Sequence, residues 1–212
     1  MKTIMCFGDS NTFGEKPAYE GERQPWGVRW TSILQEELGF ENYHVYENGY
    51  NGRTTVFTDP YDPLRNGLKG MRYALATHRQ LDLIIICLGT NDAKMHFNTN
   101  AKGIVEGYDL LIQEVKMHAL QENLPLPKFL LLSPVKIGKN IEQGLFGNFN
   151  QQSIATVDAL EIELHEYAKA HHYSYFSAAQ VATVGKDQLH MDSQSHTKLA
   201  LSLLPLVQAL LT

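Results

Sequence analysis

The chain has 212 residues, a formal net charge of -5, and is 43% hydrophobic and 19% charged. These values suit one soluble domain with a sizeable core, and without a Lys/Arg block they argue against nucleic acid as the main partner. No apolar run approaches the ~20 residues of a bilayer span and no signal peptide is visible, so no membrane anchor is expected and the expected compartment is the cytoplasm, with Cys6 and Cys87 as reduced packing residues.

A first strand is predicted over Thr3–Phe7 and runs into Gly8-Asp9-Ser10-Asn11-Thr12. The loop continues through Gly21 and Pro25. A helix is expected over Gly27–Leu38, with Trp30, Ile33, Leu34 and Leu38 on one stripe and Gly39 as its stop. A second strand, Tyr43–Glu47, leads into the polar run Asn48–Thr55. The two prolines of Asp59-Pro60-Tyr61-Asp62-Pro63 stiffen the next loop. A helix is predicted over Leu64–Thr77, weakened by Gly67 and Gly70.

The third strand is the clearest, Leu81–Leu88. Its unbroken apolar run calls for burial on both faces. It ends in Gly89-Thr90-Asn91-Asp92, ahead of a long helix over Lys102–Gln121. A fourth strand, Lys128–Ser133, precedes a Gly- and Asn-rich loop and a helix over Gln151–Ala170. A short fifth strand, Ser174–Phe176, is followed by a loop holding Asp187 and His190. The last helix is expected over Ser195–Leu211, with a kink at Pro205.

Strands alternating with helices predict a single α/β domain across residues 1–212. The expected architecture is a three-layer α/β/α, flavodoxin-like sandwich around a five-stranded parallel sheet of order 2-1-3-4-5. That order brings the loops after strands 1, 2 and 3 to one edge, where open α/β sheets bind ligands. Those loops carry Ser10, Gly52 and Asn91.

Ser10 reads as a nucleophile presented on a tight turn, and equally, by itself, as a helix cap or an anion-binding turn. Asp187-x-x-His190 places a carboxylate and an imidazole side by side, so that Asp187 can hold Nδ1–H and leave Nε2 as a base. With nine His in the chain one Asp-x-x-His is unremarkable by chance, and His190 taken alone reads as a surface histidine. His196, at a helix start, suits capping or packing better than catalysis. Asn91 can donate its amide to a developing oxyanion, with the backbone N–H groups of Gly52 and Ser10 as further donors. The plain alternative for Asn91 and Gly52 is an ordinary turn. No Cys/His spacing suggests a zinc site, and neither a metal nor another cofactor is expected.

The four blocks Gly8-Asp9-Ser10, Gly52, Gly89-x-Asn91 and Asp187-x-x-His190 stand in the order found in the SGNH (GDSL-type) esterases and lipases, which this chain resembles over nearly its whole length. The stretches Val28-Arg29-Trp30, Gly52-Arg53-Thr54-Thr55, Arg65-Asn66-Gly67 and Leu88-Gly89-Thr90-Asn91-Asp92 are most similar to the bacterial arylesterase/acyltransferase branch. The resemblance implies Ser10 as nucleophile, His190 as base, Asp187 as its partner, and an oxyanion hole of Ser10, Gly52 and Asn91. It also implies hydrolysis of short acyl or aryl esters, with acyl transfer to alcohols in some members. Two departures flank the serine: Asn11 where the branch usually has an apolar residue, and Phe13 where an indole is common. The loop Val135–Phe149 is the other departure, in a region that in the branch helps form the substrate channel and subunit contacts. Asp9, Asn11, Thr12, Phe13, Trp26 and Asp92 are expected to border the substrate. The expected partner is a small-molecule ester, with a homo-oligomer as a possible assembly. The rival functions are a carbohydrate acetylesterase or a lysophospholipase/thioesterase on the same triad. A non-catalytic flavodoxin-like binding module is the rival of another class.

Overall fold

The computed structural model describes residues 1–17, 22–78 and 80–212. Gly21, expected in the loop after the first strand, lies outside the described residues. Five strands, β1 (Lys2–Gly8), β2 (Tyr43–Gly49), β3 (Leu83–Cys87), β4 (Lys128–Ser133) and β5 (Ser174–Ser177), form one sheet. Its order is β2-β1-β3-β4-β5 and every pairing is parallel. The helices are α1 (Ser10–Phe13), α2 (Trp30–Leu38), α3 (Gly67–Thr77), α4 (Ala101–Gln121), α5 (Gln151–Ala170) and α6 (Ser193–Leu211).

Alternation along the strands builds two cores. Ile4, Cys6, Leu83, Ile85, Leu130 and Leu132 point to one face and pack on α2 and α6. Met5, Phe7, Ile84, Ile86, Phe129 and Leu131 point to the other and meet α3, α4 and α5. All five residues of β3 are buried, as its continuous apolar run requires. Each fully buried aliphatic side chain contributes about 1.5–3 kcal/mol by leaving water. The result is an α/β/α sandwich with all strand C-termini at one edge. Among the described residues no helix is long and apolar enough to cross a membrane.

Several element boundaries differ from the sequence expectation, each for a local reason. The helix expected from Gly27 starts at Trp30, because Gly27 is left-handed (φ 78) and Arg29 is extended. The Arg29 guanidinium instead binds Glu47 and the Gln24 carbonyl. The helix expected from Leu64 divides into a 3₁₀ turn, Pro63–Arg65, and α3, since Asn66 is extended and caps α3 through the Lys69 N–H. The third strand is shorter than expected at both ends. The Leu88 N–H leaves the ladder for the Tyr108 hydroxyl, while Asp82 side-chain and backbone groups bind Thr3. The last helix begins two residues earlier, at Ser193 after the Asp192 cap, and continues across Pro205.

The ends of β1 and β2 approach closely where Gly49 meets α1. A Cβ on Gly49 would collide with the backbone of Thr12 and Phe13, which a rotamer change cannot relieve. Gly49→Ala is therefore expected to destabilise the protein by about 3 kcal/mol. The measurement is the urea unfolding midpoint, and a midpoint equal to the parent's would show that α1 can move away from the end of β2 freely.

Candidate active site

β1 delivers the chain to the sheet edge, and Asp9 turns it. The Asp9 carboxylate caps α1 by accepting from the Asn11 N–H at 3.0 Å, so Ser10 becomes the first residue of a single helical turn. Gly8 is required for this turn to sit against the sheet: a Cβ there would collide with Thr12 and lie 2.7 Å from the Cys87 carbonyl oxygen. Four residues of helix leave Ser10 buried but lining a cavity.

Across that cavity, the loop between β5 and α6 folds around Asp187. Asp187 Oδ1 accepts from the N–H groups of Leu189 and His190 at 3.0 and 2.9 Å. Its other oxygen, Oδ2, lies 2.6 Å from His190 Nδ1, and His190 Nε2 lies 2.9 Å from Ser10 Oγ. The left-handed backbone of Gln188 (φ 65) makes the tight turn that lets the carboxylate reach back to the ring. Burial works against the Asp187 charge, but the His190 ring and the two backbone N–H groups outweigh it and hold its carboxyl below the usual range. With Asp187 ionised, Nδ1 carries the proton and Nε2 is left as an acceptor for the serine hydroxyl.

Ser10, Gly52, Asn91 and His190 all line one cavity of about 350 Å³. Gly52 is left-handed (φ 82), and the backbone N–H groups of Gly52 and Ser10 have no protein acceptor among the described residues. One N–H of the Asn91 amide is taken by Asp9 Oδ2 at 3.4 Å, which orients the group. Its lining combines polar side chains, Glu15, Asn51, Arg65, Lys94 and Asn148, with apolar ones, Leu145, Phe146, Phe149 and Leu189. The Phe146 and His190 rings meet in an edge-to-face arrangement, 5.6 Å between centroids.

A profile of the GDSL-like lipase/acylhydrolase family matches residues 6–197. The chain belongs to that family. The hydrolase superposes on the native M. smegmatis aryl esterase with a TM-score of 0.92 and 34% identity, over 99% of this chain and 100% of that one. A carbohydrate acetylesterase from Sinorhizobium meliloti gives a TM-score of 0.89 and 32% identity, again over 99% and 100%. A comparison with curated proteins finds no match. Membership and these neighbours identify a carboxylic ester hydrolase of the SGNH fold.

The six residues expected to border the substrate do not line the cavity of this hydrolase. Successive residues of a helical turn point ~100° apart, so with Ser10 facing the cavity its neighbours face elsewhere. Asn11 binds the loop that carries His190, and Thr12 packs fully buried on Gly8. Phe13 lies under the Arg23 guanidinium. Trp26 is half exposed and stacks on Phe40 at 6.3 Å. Asp9 is turned inward to Asn11 and Asn91. Asp92 is fully buried, and its Oδ1 accepts from the Thr55 N–H and hydroxyl, which pins the loop that bears Gly52.

Other groups that the sequence left unassigned support the site. Arg53 is buried over the Phe7 ring, 4.2 Å away, and donates to the carbonyls of Gly8 and Asn48, which ties the ends of β1 and β2 together. Asp59, without exposure, accepts from both cavity cations, Arg65 at 2.9 Å and Lys94 at 3.2 Å. Burial opposes its charge, but the Tyr61 N–H, Arg65 and Lys94 hold its carboxyl down at about 2. A lysine and an arginine converging on one buried Asp carry no periodic signal. The aromatics of Phe146-Gly147-Asn148-Phe149 were visible as apolar residues in a turn-rich loop, which is a usable sign of a cavity wall. His196 is fully buried, accepts from the Trp30 N–H at 3.3 Å, and is kept neutral by burial, which lowers it to about 4. Burial also raises both cysteine thiols, so neither is a thiolate.

Burial raises Asp92 to about 6, and the Thr55 bonds offset this only in part. The folded protein therefore keeps a proton on Asp92 up to about pH 6, where an unfolded carboxyl has released it near pH ~4. The stability from this group is full at low pH and falls as pH rises across that window. Asp92→Asn keeps the Oδ1 acceptor and removes the buried charge. The variant's Tm is expected to gain on the parent's as pH rises from ~4 to ~7, read by circular dichroism. A parallel pair of Tm curves would show that Asp92 is ionised throughout.

Proposed function

We propose that this hydrolase is a serine esterase that cleaves small acyl esters through an acyl-enzyme. The observation that carries the reading is the unbroken row from Asp187 through His190 to Ser10, opening into the cavity. Ser10 Oγ attacks the ester carbonyl carbon as its proton passes to His190 Nε2. The Ser10 and Gly52 N–H groups and the Asn91 amide receive the developing oxyanion. His190 then gives the proton to the departing alkoxide, and water enters by the same route in reverse to release the acid. An added alcohol in place of water yields acyl transfer. A cavity of about 350 Å³ suits a short acyl chain and a compact alcohol. The proposed compartment is the cytoplasm, where buried thiols such as Cys6 and Cys87 stay reduced.

The polar side chains of the cavity lining favour a second reading within the same chemistry. Glu15, Asn51, Arg65, Lys94 and Asn148 offer donors and acceptors to a hydroxyl-rich alcohol, and the carbohydrate acetylesterase neighbour supports it. The test is a panel of p-nitrophenyl acetate, p-nitrophenyl octanoate, phenyl acetate and acetylated xylose, each with and without methanol. The esterase reading expects kcat/KM to fall from acetate to octanoate. Preference for octanoate would overturn the short-chain assignment. Acetylxylose turnover above phenyl acetate would select the sugar-ester reading.

A further inference from the structure

The loop that carries His190 is held in two distinct ways. Its internal shape is fixed by its own groups: Asp187 takes the Leu189 and His190 N–H groups, and the Gly185 N–H donates to the His190 carbonyl at 2.7 Å. None of these bonds places the loop relative to Ser10, which lies 180 residues away in the chain. Among the described residues, outward polar ties from the Asp187–Met191 turn are few. Gln188 binds Gly138 and Asn140, in the neighbouring loop and not on the nucleophile turn. Among the described residues, the tie to the nucleophile turn besides the His190–Ser10 contact itself is Asn11. Its Nδ2 donates to the Leu189 carbonyl at 3.2 Å, and its Oδ1 accepts from the Met191 N–H at 2.9 Å.

These two backbone groups flank His190 on either side. A single bond would let the loop pivot, whereas two bonds from one planar amide resist both rotation and translation. The residue that makes them is bonded covalently to Ser10, and its own N–H is held by Asp9 at 3.0 Å. A closed ring results: Ser10, Asn11, the two flanking peptides, His190, and back to Ser10 through the 2.9 Å contact. Asn11 is 3% exposed and does not line the cavity, so it has no surface to offer a substrate. Only a side chain with both a donor and an acceptor at this length satisfies both buried groups. A leucine of similar size satisfies neither. An aspartate keeps the bond from Met191 but turns an oxygen toward the Leu189 carbonyl.

We propose that Asn11 is a positioning residue that sets the reach of His190 to Ser10. The proposal rests on the serine-esterase reading. A displacement of reacting groups on the 1 Å scale costs about 10²-fold in rate. Asn11→Leu is therefore expected to lower kcat for p-nitrophenyl acetate by about 10²-fold, with KM changed less than about two-fold. The deciding measurement is the same substitution in a His190→Ala background. An enzyme without its base retains residual turnover about 10³-fold above water. Because Asn11 acts through His190, that residual rate is expected to be the same with Asn11 or Leu at the position. An equal loss in both backgrounds, or parent-like kcat in Asn11→Leu, overturns the proposal. Should Asn11→Leu not fold, Asn11→Asp, which keeps one of the two bonds, is put through the same cycle with the same criteria. Ser10→Ala separates the two failures. Retained turnover there removes the esterase reading itself, whereas an inactive Ser10→Ala beside a fully active Asn11→Leu removes only the positioning role.

Discussion

Ser10→Ala is expected to lower kcat for p-nitrophenyl acetate by on the order of 10⁶-fold while leaving the fold intact. The size follows from the geometry. Ser10 Oγ is the hydroxyl that His190 Nε2 meets at 2.9 Å, and it sits in the cavity beside the Gly52 and Asn91 donors. The fold should persist because the α1 turn rests on groups other than the hydroxyl. These are the Asp9 cap to the Asn11 N–H, the Gly14 N–H on the Ser10 carbonyl, and the packing of Thr12 on Gly8. The parent, but not the variant, should gain one adduct mass when treated with a p-nitrophenyl phosphonate. A variant that turns over as the parent does would remove Ser10 from the chemistry.

Asp187→Asn is expected to cost about 10⁴-fold in kcat with little change in KM. The reason is specific to how this carboxylate is shared. Its Oδ1 already accepts from the N–H groups of Leu189 and His190. An asparagine must keep its oxygen there, so its NH₂ is forced to face His190 Nδ1. Nδ1 must then be the acceptor, and the ring proton moves to Nε2, where it points at Ser10 Oγ. The imidazole is held in place in the wrong tautomer. The charge of Asp187 also carries a pH signature. Its carboxyl is held below the usual range, so its stabilisation is full above the unfolded value of ~4 and is lost as pH falls through the lower folded value. The parent should therefore lose more stability than Asp187→Asn below pH ~4, read from Tm against pH.

Much of this fold was legible from local pattern. Runs such as Leu83-Ile84-Ile85-Ile86-Cys87 have one good solution, a strand buried on both faces, and the alternation of such runs with helical stripes leads to the observed strand order. Boundaries were less legible because they depend on single tertiary bonds. The Arg29 ion pair with Glu47 keeps residue 29 out of α2, and the Tyr108 hydroxyl draws Leu88 out of β3. In the candidate site, the residues that meet around Ser10 Oγ were visible as short motifs at strand ends. Apart from the aromatics of the Phe146–Phe149 loop, the cavity walls were not. Proximity in the chain suggested Asn11, Thr12 and Phe13, yet one helical turn sends their side chains into the protein or across its surface. The walls come instead from Glu15, the loop after β2, Lys94 and the loop holding Phe146 and Phe149.

The layered α/β arrangement, the sheet edge at which chemistry collects, and the reactive side chains that lie there are all encoded locally along the chain. These follow from periodicity and from turn residues, which act over a few positions of chain. Which of the polar residues near Ser10 face the cavity and which hold it together depends on long-range packing. Asn11 stands next to the serine, but its amide meets peptides 178 and 180 residues away. Asp92 follows the Asn91 motif closely, but its carboxylate is spent on Thr55, 37 residues back. A side chain's direction is set by the backbone turn it sits on and by the unpaired groups brought opposite it, and those groups are known only once the chain has folded.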